Sequence, residues 1–256
     1  MTNSDPLLHR DCPLCGASAS RAEMRSAPPA ETRSFAALRP FWAGLFREKV
    51  FFSYHRCADC GLLYNPVYFH EHQLAALYAD MAPNMDLVSD GAIAATQAGY
   101  FRRAMAEGAP AGGYLEIGPD VGHIAGHAAR SGRFDRFWLF EPNLAVHDTL
   151  RAVARGKPAT VLADMTDLSP VPDRSVGMAV MVHVLDHLLD PVAMLRQILA
   201  KLRPGGTLMI VTHDERSWLR KVTGVRWPPF CLQHPELYNP ATMRKLLAHA
   251  GYRDVI

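Results

Sequence analysis

The chain has 256 residues, 49% hydrophobic and 20% charged, with a formal net charge of +2 when histidine is neutral. That composition excludes a disordered polar chain, and the near balance of charge gives no support for a nucleic-acid partner, which calls for a clustered basic surface. No run approaches the roughly 18 apolar residues of a membrane span, and the opening MTNSDPLLHRDC lacks the apolar stretch of a signal peptide, so the expected location is the cytoplasm, where thiols stay reduced.

The first segment, residues 1–70, holds four of the five cysteines, as Cys12-Pro-Leu-Cys15-Gly and Cys57-Ala-Asp-Cys60-Gly. Two such knuckles supply four thiolates, the ligand set of a closed, structural zinc site. The glycine after each second cysteine allows a tight turn that aims amides at sulfur. Free or redox-active thiols are the alternative. Between the knuckles, Ser26–Ser34 reads as a loop and Phe35–Phe52 as a short helix followed by a strand. His55, His70 and His72 lie nearby, but four cysteines already complete the shell. Cys231 stands apart and reads as a packed small residue. Residues 71–112 form a connector, helical over the Ala-rich Glu71–Glu107 and broken at Ala109–Gly113.

From Tyr114 strands and helices alternate. Strands are expected at Tyr114–Ile117, Phe137–Phe140, Ala159–Ala163, Val176–Val182 and Thr207–Thr212; the fourth is apolar throughout, as a strand covered on both faces should be. Helices are expected at Val121–Ser131, Asn143–Val153, Pro191–Leu202 and from Asn239-Pro240 to Gly251. The predicted fold is therefore α/β: a doubly wound, Rossmann-like, mostly parallel sheet over 113–256, with a small zinc-ribbon-like domain before it.

The first strand runs into Glu116-Ile-Gly118-Pro119-Asp120-Val-Gly122, a turn where backbone can pass close to a ligand at a helix N-terminus. Aligning the dinucleotide fingerprint on Gly118 puts Asp120 and His123 where glycines belong, and a carboxylate there repels a pyrophosphate. S-adenosylmethionine carries no phosphate and meets no such objection. The turn resembles the first motif of class I S-adenosylmethionine-dependent methyltransferases, an acidic residue followed by x-Gly-x-Gly-x-Gly, with Asp120 replacing the middle glycine. Further segments match that family in order: Phe137-Trp-Leu-Phe-Glu141-Pro142, Ala163-Asp164-Met165, Val182-His183-Val-Leu-Asp186-His187-Leu-Leu-Asp190-Pro191 and Leu202-Arg-Pro204-Gly205-Gly206.

The resemblance implies S-adenosylmethionine as cofactor. In it Glu116 anchors the loop and the methionine amino group, Gly118, Pro119, Asp120 and Gly122 form the turn, and Glu141, followed by Pro142, takes the ribose hydroxyls. Asp164 meets the adenine amino group, Met165 packs on the ring and His183 borders the cofactor. Asp186 and His187 are expected to cap or orient the following helix. The family's sheet ends with two strands after the last helix; Tyr252–Ile256 has room for the first. Methyl transfer needs alignment of donor and acceptor and, for many acceptors, a base. His183, His213 and His234 are the candidates. The stretch from His213 to His234 exceeds an ordinary connection, and Trp218, Arg226, Trp227, Phe230 and His234 are the candidate acceptor-binding residues.

The reading is methyl transfer to a small-molecule or carrier-linked acceptor, as in bacterial sugar, polysaccharide and natural-product pathways. Two others stay open: a degenerate methyltransferase fold whose zinc module recruits a partner, and a nucleic-acid or protein methyltransferase. Acceptor atom and oligomeric state are not specified.

Overall fold

The computed structural model describes residues 6–42, 49–79, 90–108 and 110–256. The chain forms two compact units. One gathers Met1–Ala82, Asp186–Ala193 and Thr212–Ile256; the other comprises Pro83–Leu185 and Met194–Val211. The modules expected from sequence are contiguous, whereas both units are assembled from separated stretches.

The N-terminal part of the first unit contains β1 (Leu8–His9), β2 (Ser20–Met24), α1 (Phe35–Leu38), β3 (Tyr54–Cys57), β4 (Leu63–Tyr64), β5 (Val67–Tyr68) and α2 (Glu71–Ala79). The strand expected by Phe52 begins at Tyr54; residues 43–48 of that stretch lie outside the described residues. Antiparallel β2, β3 and β4 follow one another, and β1 pairs with β5.

The second unit begins with α3 (Asp90–Gly108) and continues through β6 (Gly112–Ile117), α4 (His123–Arg130), β7 (Phe134–Phe140), α5 (His147–Val153), β8 (Ala159–Leu162), β9 (Val176–Val182), α6 (Pro191–Lys201) and β10 (Leu202–Val211). Its five strands are all parallel, in the order β10-β9-β6-β7-β8, the doubly wound arrangement expected. The period of two in each strand decides the faces. Tyr114, Phe137, Leu139, Met178 and Val180 pack with Phe101 of α3, Ile124 and Ala128 of α4 and Leu150 of α5. Their alternates Leu115, Ile117, Trp138, Phe140, Ala179 and Met181 are equally buried and point to the opposite face. Strand β10 starts five residues earlier than expected, with a register shift between Leu202 and Thr207 where Gly205 takes a φ of +74°.

The chain then returns to the first unit with α7 (Trp218–Thr223), β11 (Glu236–Leu237) and α8 (Pro240–Ala250). Strand β11 adds to the N-terminal sheet, Glu236 opposite Tyr64 and Leu237 opposite Leu63, giving the order β11-β4-β3-β2. Helix α8 starts on a capping box of Asn239 and Thr242 and stops at Gly251, whose φ is +104°. No strand forms over Tyr252–Ile256. The core of this unit is aromatic: Phe230 stacks on Phe51 with ring centroids 5.4 Å apart and meets Tyr54 at 5.2 Å. Removing a ring so enclosed costs about 3–5 kcal/mol.

Candidate functional site

Strands β8, β7, β6 and β9 are neighbours pointing the same way, so the residues just past their carboxyl ends line one edge of the sheet, where open α/β sheets bind ligands. Gly118, Glu141, Asp164 and His183 all stand there. The turn after β6 is built on positive φ. Gly118 lies at +66°, and a Cβ on it would sit 2.5 Å from Val184 Cγ2; Gly122 lies at +81°, where a Cβ would meet Leu150 Cδ2 at 2.8 Å. Asp120, which departs from the family glycine, has φ +50°, a conformation aspartate tolerates better than most residues. The substitution therefore keeps a glycine-like path. The Gly122 amide donates to the Pro119 carbonyl at 2.8 Å, closing the turn.

Two carboxylates support it. Glu141 accepts the Asp120 amide on one oxygen and the Asn143 amide on the other, both at 2.9 Å, tying the turn after β6 to that after β7. Burial raises its pKa, and the two amides oppose the rise. Behind Pro142, the His147 ring nitrogen Nε2 donates to the Glu141 carbonyl at 2.7 Å. Glu116 is buried deeper. It accepts the Tyr114 hydroxyl at 2.7 Å and the Ala125 amide of α4, and burial pushes its pKa up to about 7. Its partners belong to the framework of the turn. Asp164 is exposed and accepts both the amide and the hydroxyl of Thr166, which hold its pKa low; Met165 beside it is half-buried. His183 is exposed at φ +53°, its amide donating to Val211. A cleft of about 410 Å³ between α3 and α4 borders Gly122, but Glu141 and Asp164 are not among its walls.

In the first unit the four cysteine sulfurs lie within 4.8 Å of one another, Cys12 to Cys60 at 3.5 Å and Cys15 to Cys57 at 3.6 Å, and no disulfide forms among them. Sulfurs 2.3 Å from one tetrahedral ion stand about 3.8 Å apart, so the set fits zinc. Gly16 and Gly61 have φ of +72° and +83° with open space at Cβ, so backbone conformation is what selects glycine there. Their amides donate to the Cys12 and Cys57 carbonyls rather than to sulfur, and the Leu62 amide donates to Cys60 Sγ at 3.5 Å. Burial opposes ionisation of Cys57, but the Cys60 and Asp59 amides and neighbouring thiols bring its pKa to about 7.

The long stretch after β10 is structured rather than open loop. Trp218 is 75% exposed on α7, and Arg226 is exposed. Trp227 and Phe230 are buried against each other, 5.3 Å between centroids, and serve the core. The Tyr54 hydroxyl donates to the His234 carbonyl and that of Tyr68 to Leu232, both at 2.6 Å, pinning the segment down. His234 is buried, and its Nδ1–H donates to the Pro229 carbonyl at 2.7 Å. Burial disfavours charge on the ring, yet Cys231, Asp186 and that carbonyl together hold its pKa above the ordinary imidazole value. Cys231, buried, places its sulfur 3.4 Å from the same nitrogen.

The capping role expected of Asp186 and His187 falls to Asp190, whose carboxylate accepts the Ala193 amide. Asp186 is fully buried, with His213 Nε2 3.9 Å from its carboxylate, and His187 Nδ1 meets the Tyr78 hydroxyl at 3.0 Å. Sequence reading missed this grouping because Tyr78, His187 and His234 lie far apart along the chain.

A family model described as a methyltransferase domain matches residues 94–255. The chain belongs to that family. This methyltransferase shares its fold with a solved S-adenosylmethionine-dependent methyltransferase of Leishmania major, at 15% identity over 68% of this chain and 66% of the other, with a TM-score of 0.51. A similar protein of Archaeoglobus fulgidus gives 18% identity, 65% and 70% coverage and a TM-score of 0.48. A phosphoethanolamine N-methyltransferase of Haemonchus contortus, solved with S-adenosyl-L-methionine, gives 20% identity and 0.45; the match takes in 61% of this chain and 37% of that one. No curated protein matches the chain. Among the described residues no helix is long and apolar enough to cross a membrane.

Proposed function

We propose that this enzyme transfers the methyl group of S-adenosylmethionine to a small-molecule or carrier-linked acceptor in the cytoplasm. The observation that carries the reading is the turn from Gly118 to Gly122, held in left-handed backbone and tied through the Asp120 amide to Glu141. A Cβ at Gly118 would collide with Val184 and one at Gly122 with Leu150, so the turn keeps this path only with glycine at both positions. Each Glu141 oxygen accepts one amide and keeps a lone pair suited to a ribose hydroxyl. Asp164 and Met165 are assigned to the adenine end. Glu116, engaged by Tyr114 and Ala125, acts on the cofactor through the turn it anchors. The cofactor supplies an activated methyl group; the chain orients it. His183 and His213 remain the candidates for proton acceptor, while His234 has one ring nitrogen committed to Pro229. Exposed Trp218 and Arg226 are assigned to the acceptor. Zinc is assigned to Cys12, Cys15, Cys57 and Cys60.

Glu141→Ala should weaken S-adenosylmethionine binding by about 1.5–3 kcal/mol, the scale of hydrogen bonds to a charged group. Titration calorimetry on both proteins measures it. Equal affinity, or tight NAD binding in its place, would remove the assignment.

A further inference from the structure

We propose a second metal site in the first unit, separate from the cysteines: a first-row divalent cation bound through nitrogen and oxygen by Asp186, His187 and His234. One carboxylate oxygen of Asp186 and one ring nitrogen from each histidine lie within 4.8 Å of one another. Bonds of about 2.0–2.2 Å to a shared ion need these atoms closer, a distance that side-chain rotation covers.

Three features make the grouping a site rather than a chance meeting of polar residues. First, Asp186 is 0% exposed, and a buried carboxylate is tolerated only beside positive charge or donors. Second, both histidines are oriented from behind. His234 donates through Nδ1 to the Pro229 carbonyl at 2.7 Å, which fixes its tautomer, and His187 Nδ1 meets the Tyr78 hydroxyl at 3.0 Å. Nε2 is then the ligating atom of each, and support of the other ring nitrogen is the usual arrangement around a metal-bound histidine. Third, the rings converge: His187 and His234 have centroids 4.7 Å apart, and His213 stands 5.1 Å from His234 with Nε2 3.9 Å from the Asp186 carboxylate. Two imidazoles and one carboxylate, with room left in the coordination shell, select zinc, iron(II), cobalt or nickel over magnesium or calcium. This assignment stands independently of methyl transfer.

The test is Co²⁺ titration of the full chain with zinc already on the cysteines, followed by visible absorption and equilibrium dialysis. The expected result is one additional equivalent of Co²⁺ with weak visible bands and no sulfur-to-cobalt charge transfer. His187→Gln, at a half-buried position, should fold normally and weaken this binding at least ten-fold. Asp186→Asn is the stricter variant, with circular dichroism as its folding control. No saturable cobalt, thiolate bands, or equal binding by His187→Gln would each overturn the site.

Discussion

The two units bury apolar surface by different means. The second has a parallel sheet whose central strands are apolar on both faces, and its core comes from consecutive elements between Phe101 and Met209. The first has short strands of two to five residues and an aromatic cluster drawn from both ends of the chain. It relies on specific polar ties: four cysteine sulfurs, a buried Arg10–Glu236 ion pair and tyrosine hydroxyls on the carbonyls of Leu232 and His234. Apolar strands specify a fold through area, which tolerates substitution; a small sheet with little area depends on a few strong contacts.

That contrast can be broken most sharply at the zinc site proposed for the four cysteines. Stripping zinc with a chelator, or replacing Cys57 with Ser, should unfold the first unit and spare the second. Structural zinc binding in small domains has an apparent strength of about 10–16 kcal/mol. Metal analysis should give one equivalent on the cysteines, and hydrogen exchange should lose protection across the first unit while the parallel sheet of the second keeps it. A disulfide, or uniform loss of protection, would contradict it.

Next is Arg10→Met. It leaves Glu236, 0% exposed, without its partner at 2.8 Å and also removes donors to Asn65 and Pro235. Breaking a buried pair costs about 3–5 kcal/mol, measurable by urea denaturation. A loss below 1 kcal/mol would show that the polar ties matter less than supposed.

In the second unit the expected effect is one of pH. Burial raises the Glu116 pKa to about 7 in the native state. Below the ordinary carboxylate range both states hold the proton. As pH rises toward 7 the unfolded chain ionises while the native one does not, so stability falls across that window and levels off above it. The fall is about 3 kcal/mol, at roughly 1.4 kcal/mol for each pH unit of displacement. Glu116→Gln should flatten it in denaturation curves between pH 4.5 and 8; an unaltered slope would show Glu116 ionised throughout. Smallest is Arg226→Ala, at an exposed position. It should raise the acceptor KM or lower turnover while leaving cofactor affinity within about twofold. Comparable loss of cofactor binding would move Arg226 to the donor side.

The second unit was legible because its signals are local. Val176–Val182 is a strand with the bounds its apolar run indicates, and Pro191 opens α6 as its backbone preference requires. The earlier start of β10 was hidden by Pro204-Gly205-Gly206, which reads as a turn but forms an irregularity within the strand. In the first unit the cysteine knuckles were legible from spacing. The placement of Trp227, Phe230 and His234 was not: aromatic and polar residues after a strand look like a binding loop, and only the distant Phe51, Tyr54 and Tyr68 turn them into core. The pairing of β11 with β4 also joins segments with no common local pattern.

That pairing has a consequence for synthesis. Arg10 and Glu236 are separated by 226 residues. At about 5–20 residues per second, a ribosome needs roughly ten to forty-five seconds to make the span between them. Throughout that time β4 presents an unpaired edge, and Phe51 and Tyr54 lack Phe230. The parallel sheet of the second unit has all its strands once Val211 has emerged. The segment around β4 therefore waits for β11 and Phe230, with an open strand edge and uncovered rings exposed to any chaperone or neighbouring nascent chain.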